Sequence, residues 1–255
     1  MSGSVERFTS RVADYVKYRP GYPAEIVNLL TTECGLTPGS VVADVGSGTG
    51  KLSEIFLANG NVVIGIEPNE SMRVVAEQIF KDEPRFRSVD GKAEATTLDD
   101  ASVDIVVAGQ AFHWFDPLKT REDWLRILKP NSYAALIWND RLLEATPFLS
   151  DYEQLLKEFG TDYAEIRHDK SMPMIEQFFA GDPFVLRGFP NTQIFDLDGL
   201  RGRVRSSSYT PEPGHPTFEP MMRGLESVFD KHQKNGYVNF DYETKVFYGR
   251  LSKTS

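Results

Sequence analysis

The stretch VVADVGSGTGKL, Val41 to Leu52, runs from an apolar segment through an acid into three glycines. Val41–Val45 is short, β-branched and flanked by turn residues, so it reads as a buried strand. The glycines follow as G-x-G-x-G, at Gly46, Gly48 and Gly50. Beyond them, GKLSEIFLA (Gly50–Ala58) sets Leu52, Ile55 and Phe56 on one helical stripe. A strand that feeds a helix through a bare glycine loop turns backbone N–H groups toward a ligand.

Outward from this point, strand and helix alternate. Val62–Ile66 is a second strand, and Asn69 or Ser71 caps a helix running to about Phe80. Phe86–Val89, Val103–Ala108 and Tyr133–Trp138 are three further strands. A helix over Asp116–Leu128 is ended by Lys129-Pro130-Asn131. Strands apolar on both faces, separated by helices, make a parallel sheet covered on both sides. After residue 140 the rhythm breaks. Residues 145–190 read as mainly helical, interrupted at Pro173 and Pro183. A strand near Thr192–Asp196, a helix near Asp198–Ser206, the loop TPEPGHP and a helix from Phe218 to about Gln233 follow. The turn Asn235-Gly236 then opens an alternating strand, Tyr237–Tyr248. The expected fold is α/β: a doubly wound, mainly parallel, Rossmann-like sheet of seven strands, one late strand antiparallel, with a helical insertion or cap. The expected segments are an N-terminal helical lid segment (1–40), a ligand-binding core (41–140), the insertion (141–190) and a C-terminal completion of the sheet (191–255).

Composition sets limits. The 255 residues are 40% hydrophobic and 25% charged, an ordinary globular balance. Cys34 is the only cysteine, which excludes an intramolecular disulfide and a thiolate metal cluster and fits a reducing, cytoplasmic location. No metal site is expected, since Asn139-Asp140 alone is too little. The N-terminus has no apolar core of signal-peptide length, and no window approaches the roughly 18 apolar residues of a membrane span. The formal net charge of −9 argues against a nucleic-acid partner, which needs a positive face to release counterions. The expected partner is a small molecule, neither nucleic acid nor membrane. An anionic one would need local arginines.

Glu67 ends the second strand, where in this topology an acid accepts hydrogen bonds from both ribose hydroxyls of a nucleoside. Two ribose-bearing ligands compete, a dinucleotide such as NAD and S-adenosylmethionine. The dinucleotide fingerprint is G-x-G-x-x-G, and its third glycine position holds Lys51 here. Asp44, beside the loop, would face a pyrophosphate as a like charge. An ammonium and a sulfonium suit it better.

With these pieces in place the chain resembles the class I S-adenosylmethionine-dependent methyltransferases. The resemblance rests on DVGSGTG, IEPNESM, VDGKAEATTL and VDIVVAGQAFHWFD. VADYVKYRPGYP near the start, SSSYTPEP and NFDYETKVFYG near the end, and AFHW after the fourth strand resemble a subgroup acting on small molecules. More loosely, that subgroup is similar to trans-aconitate methyltransferases, whose substrate is a polycarboxylate. The resemblance implies S-adenosyl-L-methionine as cofactor and S-adenosyl-L-homocysteine as product. It places Gly46, Ser47 and Gly48 on the methionine part, Glu67 on the ribose, Pro68 and Met72 on the adenine, and Ala93 and Glu94 at the adenine edge. Many relatives carry an acid where this chain has Lys92, which shifts the adenine contact to Ala93 or Glu94.

Methyl transfer from a sulfonium is an in-line displacement that needs alignment and exclusion of water. GQAFHWFD lies past the fourth strand, on the ligand side. Gln110 faces the methionine end or the transferring methyl, and His113 is a candidate base near neutral pH. Trp114 offers an aromatic wall to a cationic sulfonium. The bland alternative packs Phe112, Trp114 and Phe115 on the next helix. Trp138 and Asn139 are expected at the same mouth, and Arg141 is a candidate for a bidentate pair with a substrate carboxylate. Tyr15, Tyr18 and Arg19 are candidates for a lid over the cofactor. Arg201, Arg203, Arg205 and Tyr209 form either a surface ion-pair face or an anion site. A nicotinamide oxidoreductase and a non-catalytic cofactor-binding protein remain the alternatives.

Overall fold

The computed structural model describes residues 16–161, 163 and 171–252. Tyr15, from the expected lid, lies outside them. Parallel pairing joins β1 (Val41–Val45) to β2 (Val62–Ile66) and to β4 (Val103–Gly109), β2 to β3 (Phe86–Val89), and β4 to β5 (Leu128–Arg141). With β6 (Phe184–Phe195) and β7 (Val238–Arg250) the sheet has seven strands in the order β3-β2-β1-β4-β5-β7-β6. Partners along β5 and β7 run in opposite senses. The Arg250 guanidinium lies 4.8 Å from the Tyr133 ring centroid, Thr244 bonds to Asn139, and Leu142 N–H donates to Asp241 O. Strand β7 is therefore antiparallel to β5. The chain moves outward from β1 to β3 and then jumps back across β1 to β4. Such a switch point opens a crevice at the strands' carboxyl ends.

Helices connect the strands: α1 (Glu25–Cys34) before β1, α2 (Ser53–Ala58), α3 (Glu70–Ile79), and α4 (Pro117–Ile127) after a 3₁₀ turn at Phe112–Trp114. They are followed by α5 (Pro147–Phe159), α6 (Ser171–Phe179), α7 (Leu197–Arg205) and α8 (Phe218–His232). The chain divides into two compact units. The first holds Met1–Pro20, Asp140–His168 and Pro190–Glu243; the second holds Gly21–Asn139, Asp169–Phe189 and Thr244–Ser255. These boundaries differ from those expected: Gly21–Cys34 belongs with the sheet core, and the other unit takes in residues up to Glu243.

The apolar runs of the second unit's strands serve two cores. Ala43, Val45, Val106, Ala108, Ala134 and Leu136 pack on one side with Trp124 and Phe178. Val42, Ile105, Val107, Ala135 and Ile137 pack on the other with Ile26, Leu30 and Phe56. Period-two alternation distributes each strand between faces that are both dry, which is why no polar alternation appears in the sequence. In the first unit α5, α7 and α8 pack around Phe240 and Tyr242 of β7.

Three expectations are corrected. Helix α2 starts at Ser53, because Gly46–Leu52 is spent on the loop. Residues 184–190 are strand rather than helix, as part of β6. This strand stands at the sheet edge and is exposed along most of its length, so it carries little periodic signal. Pro173 does not interrupt a helix. It lies in the first turn of α6, where its missing N–H has no intrahelical partner to lose.

Candidate cofactor and active site

The carboxyl ends of β1, β2 and β4 carry the residues singled out above. Gly46, Gly48 and Gly50 all have positive φ, at 69°, 57° and 86°. Packing within the protein explains two of them. A Cβ on Gly46 would stand 2.6 Å from Ala111 Cβ, and one on Gly50 would stand 2.3 Å from the Phe80 ring. At Gly48 the nearest atom is Met72 Sδ at 3.8 Å. Gly48 alone among the three has room for a Cβ.

Four of the loop's amides are paired. Gly46 N–H and Ser47 N–H both donate to Ile66 O, at 2.8 and 3.1 Å. Gly50 N–H donates to Ser47 O at 2.9 Å, and Gly48 N–H to Glu67 Oε2 at 3.0 Å. This corrects the expectation of a loop that offers these N–H groups to a ligand. A phosphate seated on these four would have to break bonds already made.

Acceptors, by contrast, are in surplus. Asp44 is fully buried; Ser53 Oγ donates to its Oδ2 at 2.7 Å, while Oδ1 has no hydrogen-bond partner. Burial pushes the Asp44 carboxyl up to about 7, and the hydrogen bonds from Ser53 only partly oppose this. Gln110, at the end of β4, has φ of +56°, a conformation that costs a non-glycine residue energy and concentrates at functional sites. Its Nε2 donates to Asn139 O at 3.1 Å, and its buried Oε1 lacks a donor. Glu67 is held by two amides, Gly48 N–H on Oε2 and Asn69 N–H on Oε1, at 3.0 and 2.9 Å. Burial raises its carboxyl above the ordinary range, against these two bonds. Each oxygen keeps a second lone pair for a further donor.

Around these groups, Met72 is buried on α3, whose N-cap Asn69 accepts from Met72 N–H at 3.2 Å. Pro68 is exposed and Ala93 is buried in the sheet core. Glu94 Oε1 accepts from Asp116 N–H at 2.9 Å, just before α4. His113 lies in the 3₁₀ turn with its ring centroid 4.7 Å from that of Trp114, and Trp114 is half exposed. Trp138 does not face the mouth. It is buried edge-on between Phe112 and Phe247. Asn139 is likewise committed, donating from Nδ2 to Gly21 O at 3.1 Å and accepting from Thr244.

Residues 43–136 match the family described as "Methyltransferase domain". Over 250 residues the chain is 31% identical to an uncharacterized methyltransferase-like protein of Schizosaccharomyces pombe, covering 95% of this chain and 94% of that one. It is 35% identical over 134 residues to an uncharacterized methyltransferase of Mycobacterium bovis, 52% of each chain. Among solved structures, a protein of Anaeromyxobacter dehalogenans assigned to the type II methyltransferases superposes with a TM-score of 0.70 at 19% identity, covering 92% of this chain and 100% of the other. The chain belongs to the class I S-adenosylmethionine-dependent methyltransferases.

The methyltransferase carries its remaining candidates in the first unit. Tyr18 lies on Gly202, where a Cβ would approach its ring to 2.0 Å, and Arg19 Nη2 donates to Ser206 O at 2.9 Å. Arg141 is buried rather than a surface cation; its Nη2 donates to Glu153 and to Tyr163 Oη. Arg205 is exposed, and Arg201 is half-buried and paired with Asp198 and Glu226 at 2.7 and 2.5 Å. Arg203 is the buried one. Tyr152, Glu153, Tyr163 and Tyr242 were missed. On α5, Tyr152 and Glu153 look like any amphipathic pair, and only the fold brings Arg141 to them.

Proposed function

We propose that this methyltransferase binds S-adenosylmethionine at the carboxyl ends of β1, β2 and β4 and methylates oxygen of a carboxylate or hydroxyl on a small molecule. One observation carries the cofactor assignment. The site is rich in buried acceptors without donors, Asp44 Oδ1 and Gln110 Oε1, while the amides of Gly46, Ser47, Gly48 and Gly50 are already paired. A ligand with an ammonium and a sulfonium and no phosphate fits that inventory; a pyrophosphate does not.

Bound S-adenosylmethionine supplies a methyl group activated by its sulfonium. In this reading the Glu67 carboxylate, fixed by two amides, accepts from the ribose hydroxyls, and Met72 flanks the adenine beside Gly48. Ala93 and Glu94 stand at its edge. Asp44 and Gln110 hold the cationic end. The acceptor oxygen would take that methyl, with the neutral thioether of S-adenosylhomocysteine as the leaving group. A hydroxyl acceptor passes its proton to His113, whereas a carboxylate needs none taken. Trp114 shields the sulfonium from water. The net charge of −9 supports a small-molecule acceptor over a nucleic acid, and the looser likeness to trans-aconitate methyltransferases supports an acid.

The test is parallel calorimetric titration with S-adenosylmethionine, S-adenosylhomocysteine and NAD. Saturable binding of the first two and none of NAD is expected. Binding of NAD alone would overturn the reading. Acceptors are then sought by mass spectrometry among small acids and hydroxyl compounds.

A further inference from the structure

Among the described residues, the first unit brings two little-exposed guanidiniums, Arg203 and Arg141, close to one ring. Arg203 is 4% exposed, with its guanidinium 5.2 Å from the Phe240 ring centroid. Its Nε donates to Tyr242 Oη at 3.0 Å and its Nη1 to Ser207 Oγ at 2.9 Å. Among the described residues no carboxylate pairs with it. Arg141 lies over the same ring at 5.9 Å and over Tyr152 at 5.1 Å. Its acid, Glu153, is shared with Lys157 at 3.6 Å. Arg141 Nη1 and Tyr152 Oη are both buried and have no hydrogen-bond partner. Burial alone would raise the Tyr209 phenol, yet the charges of Arg203, Arg141 and Arg19 outweigh it and hold that phenol below its ordinary value.

A buried charge is tolerated when it is paired, and a buried donor when it is bonded. Among the described residues the guanidiniums of Arg203, Arg141 and Arg19 outnumber the cluster's one buried carboxylate, Glu153, and two donors stand idle beside them. We propose that this cluster is a binding site for the carboxylate of a small organic acid, anchored by Arg203, with Arg141 Nη1 and Tyr152 Oη as its donors. Guanidinium and phenol donors suit the two oxygens of a flat carboxylate, and the Phe240 ring gives its carbon part an apolar surface. The site goes beyond the methyl-transfer reading, because binding there needs no cofactor.

The experiment is calorimetric titration of the full chain, without cofactor, with acetate, benzoate and inorganic phosphate at constant ionic strength held by sodium chloride. Saturable binding of benzoate or acetate, with phosphate weaker, is expected. Tyr152→Phe loses no hydrogen bond of the fold. It should keep the thermal midpoint and weaken the acid by about tenfold, the worth of one bond to a charged group. Arg203→Lys, which keeps the charge but not the fork, should weaken it further. No binding by the wild-type chain, tighter binding of phosphate, or unchanged affinity in Tyr152→Phe would each overturn the proposal. So would phenolate absorbance at neutral pH, since Tyr209 would then be the missing anion. Because no cofactor is present, the result is independent of the titration with S-adenosylmethionine.

Discussion

Gly48 and its two neighbouring glycines look alike in the sequence and do different things. Gly46 and Gly50 make room for Ala111 and Phe80, while at Gly48 a Cβ would meet Met72 only at ordinary contact distance. Substitution separates these roles. Gly46→Ala and Gly50→Ala drive a methyl into a side chain and adopt a disfavoured φ, so both should lower the denaturation midpoint markedly. Gly48→Ala meets only the backbone cost, about 1 kcal/mol, and should act mainly by weakening S-adenosylmethionine. Urea denaturation and calorimetry on the three variants check this; equal losses of stability would show that Gly48 is a packing glycine too. The spacing of the loop was legible from its residues, and so was Glu67 at the end of its strand. What each glycine avoids was not, because Ala111 and Phe80 reach it only through the fold. Arg203 was no more legible. Of four residues in a short run, the sequence marks none as the buried one.

Elements were legible where periodicity was strong and faint where the surroundings supplied the order. Strands β1, β2 and β4 fall where their apolar runs are, since both faces of each are covered. Edge strand β6 was read as helical over its first half because an exposed strand needs no apolar face. For helix α3 the sequence left Asn69 and Ser71 open as caps; Asn69 is the cap, and it links stability to the site. Asn69 accepts from Met72 N–H through its side chain and donates its own N–H to Glu67. Asn69→Ala removes the first bond and keeps the second. It should cost about 1 kcal/mol of stability, as lost N-caps do, and loosen the turn that carries Met72. Urea denaturation should register the first effect and a several-fold weaker S-adenosylhomocysteine affinity the second. A variant with lower stability and unchanged affinity would detach α3's cap from the cofactor site.

At the scale of the whole molecule, the doubly wound order of the sheet was readable from alternation alone, whereas the division into two units was not, since each unit collects distant segments. The same scale shows what the site costs. Asp44 is buried between the two strands that flank β1, with a carboxyl raised from 3.8 to about 7. A carboxyl raised on folding binds its proton more tightly in the native state. Its contribution to stability is complete below the unfolded value and is lost as pH rises toward about 7. The size is on the order of 4 kcal/mol, from about 3 units at 1.36 kcal/mol each. Other carboxyls act oppositely: Asp182, bonded by Ser252 and Arg121, is held below its ordinary value although its burial opposes this, and so stabilises at neutral pH. Asp44→Asn removes only the first effect. The variant should be more stable than wild type near pH 8, about equal near pH 4, and flatter between, by chemical denaturation across that range. It should also lose most of its affinity for S-adenosylmethionine, because the amide brings no charge to a cationic ligand. In the wild type that affinity should fall as pH drops below about 7, with up to one proton displaced per ligand bound. Parallel pH profiles for variant and wild type would mean that Asp44 ionises normally; a stabilised variant with intact affinity would mean that the buried acid serves something other than the cofactor.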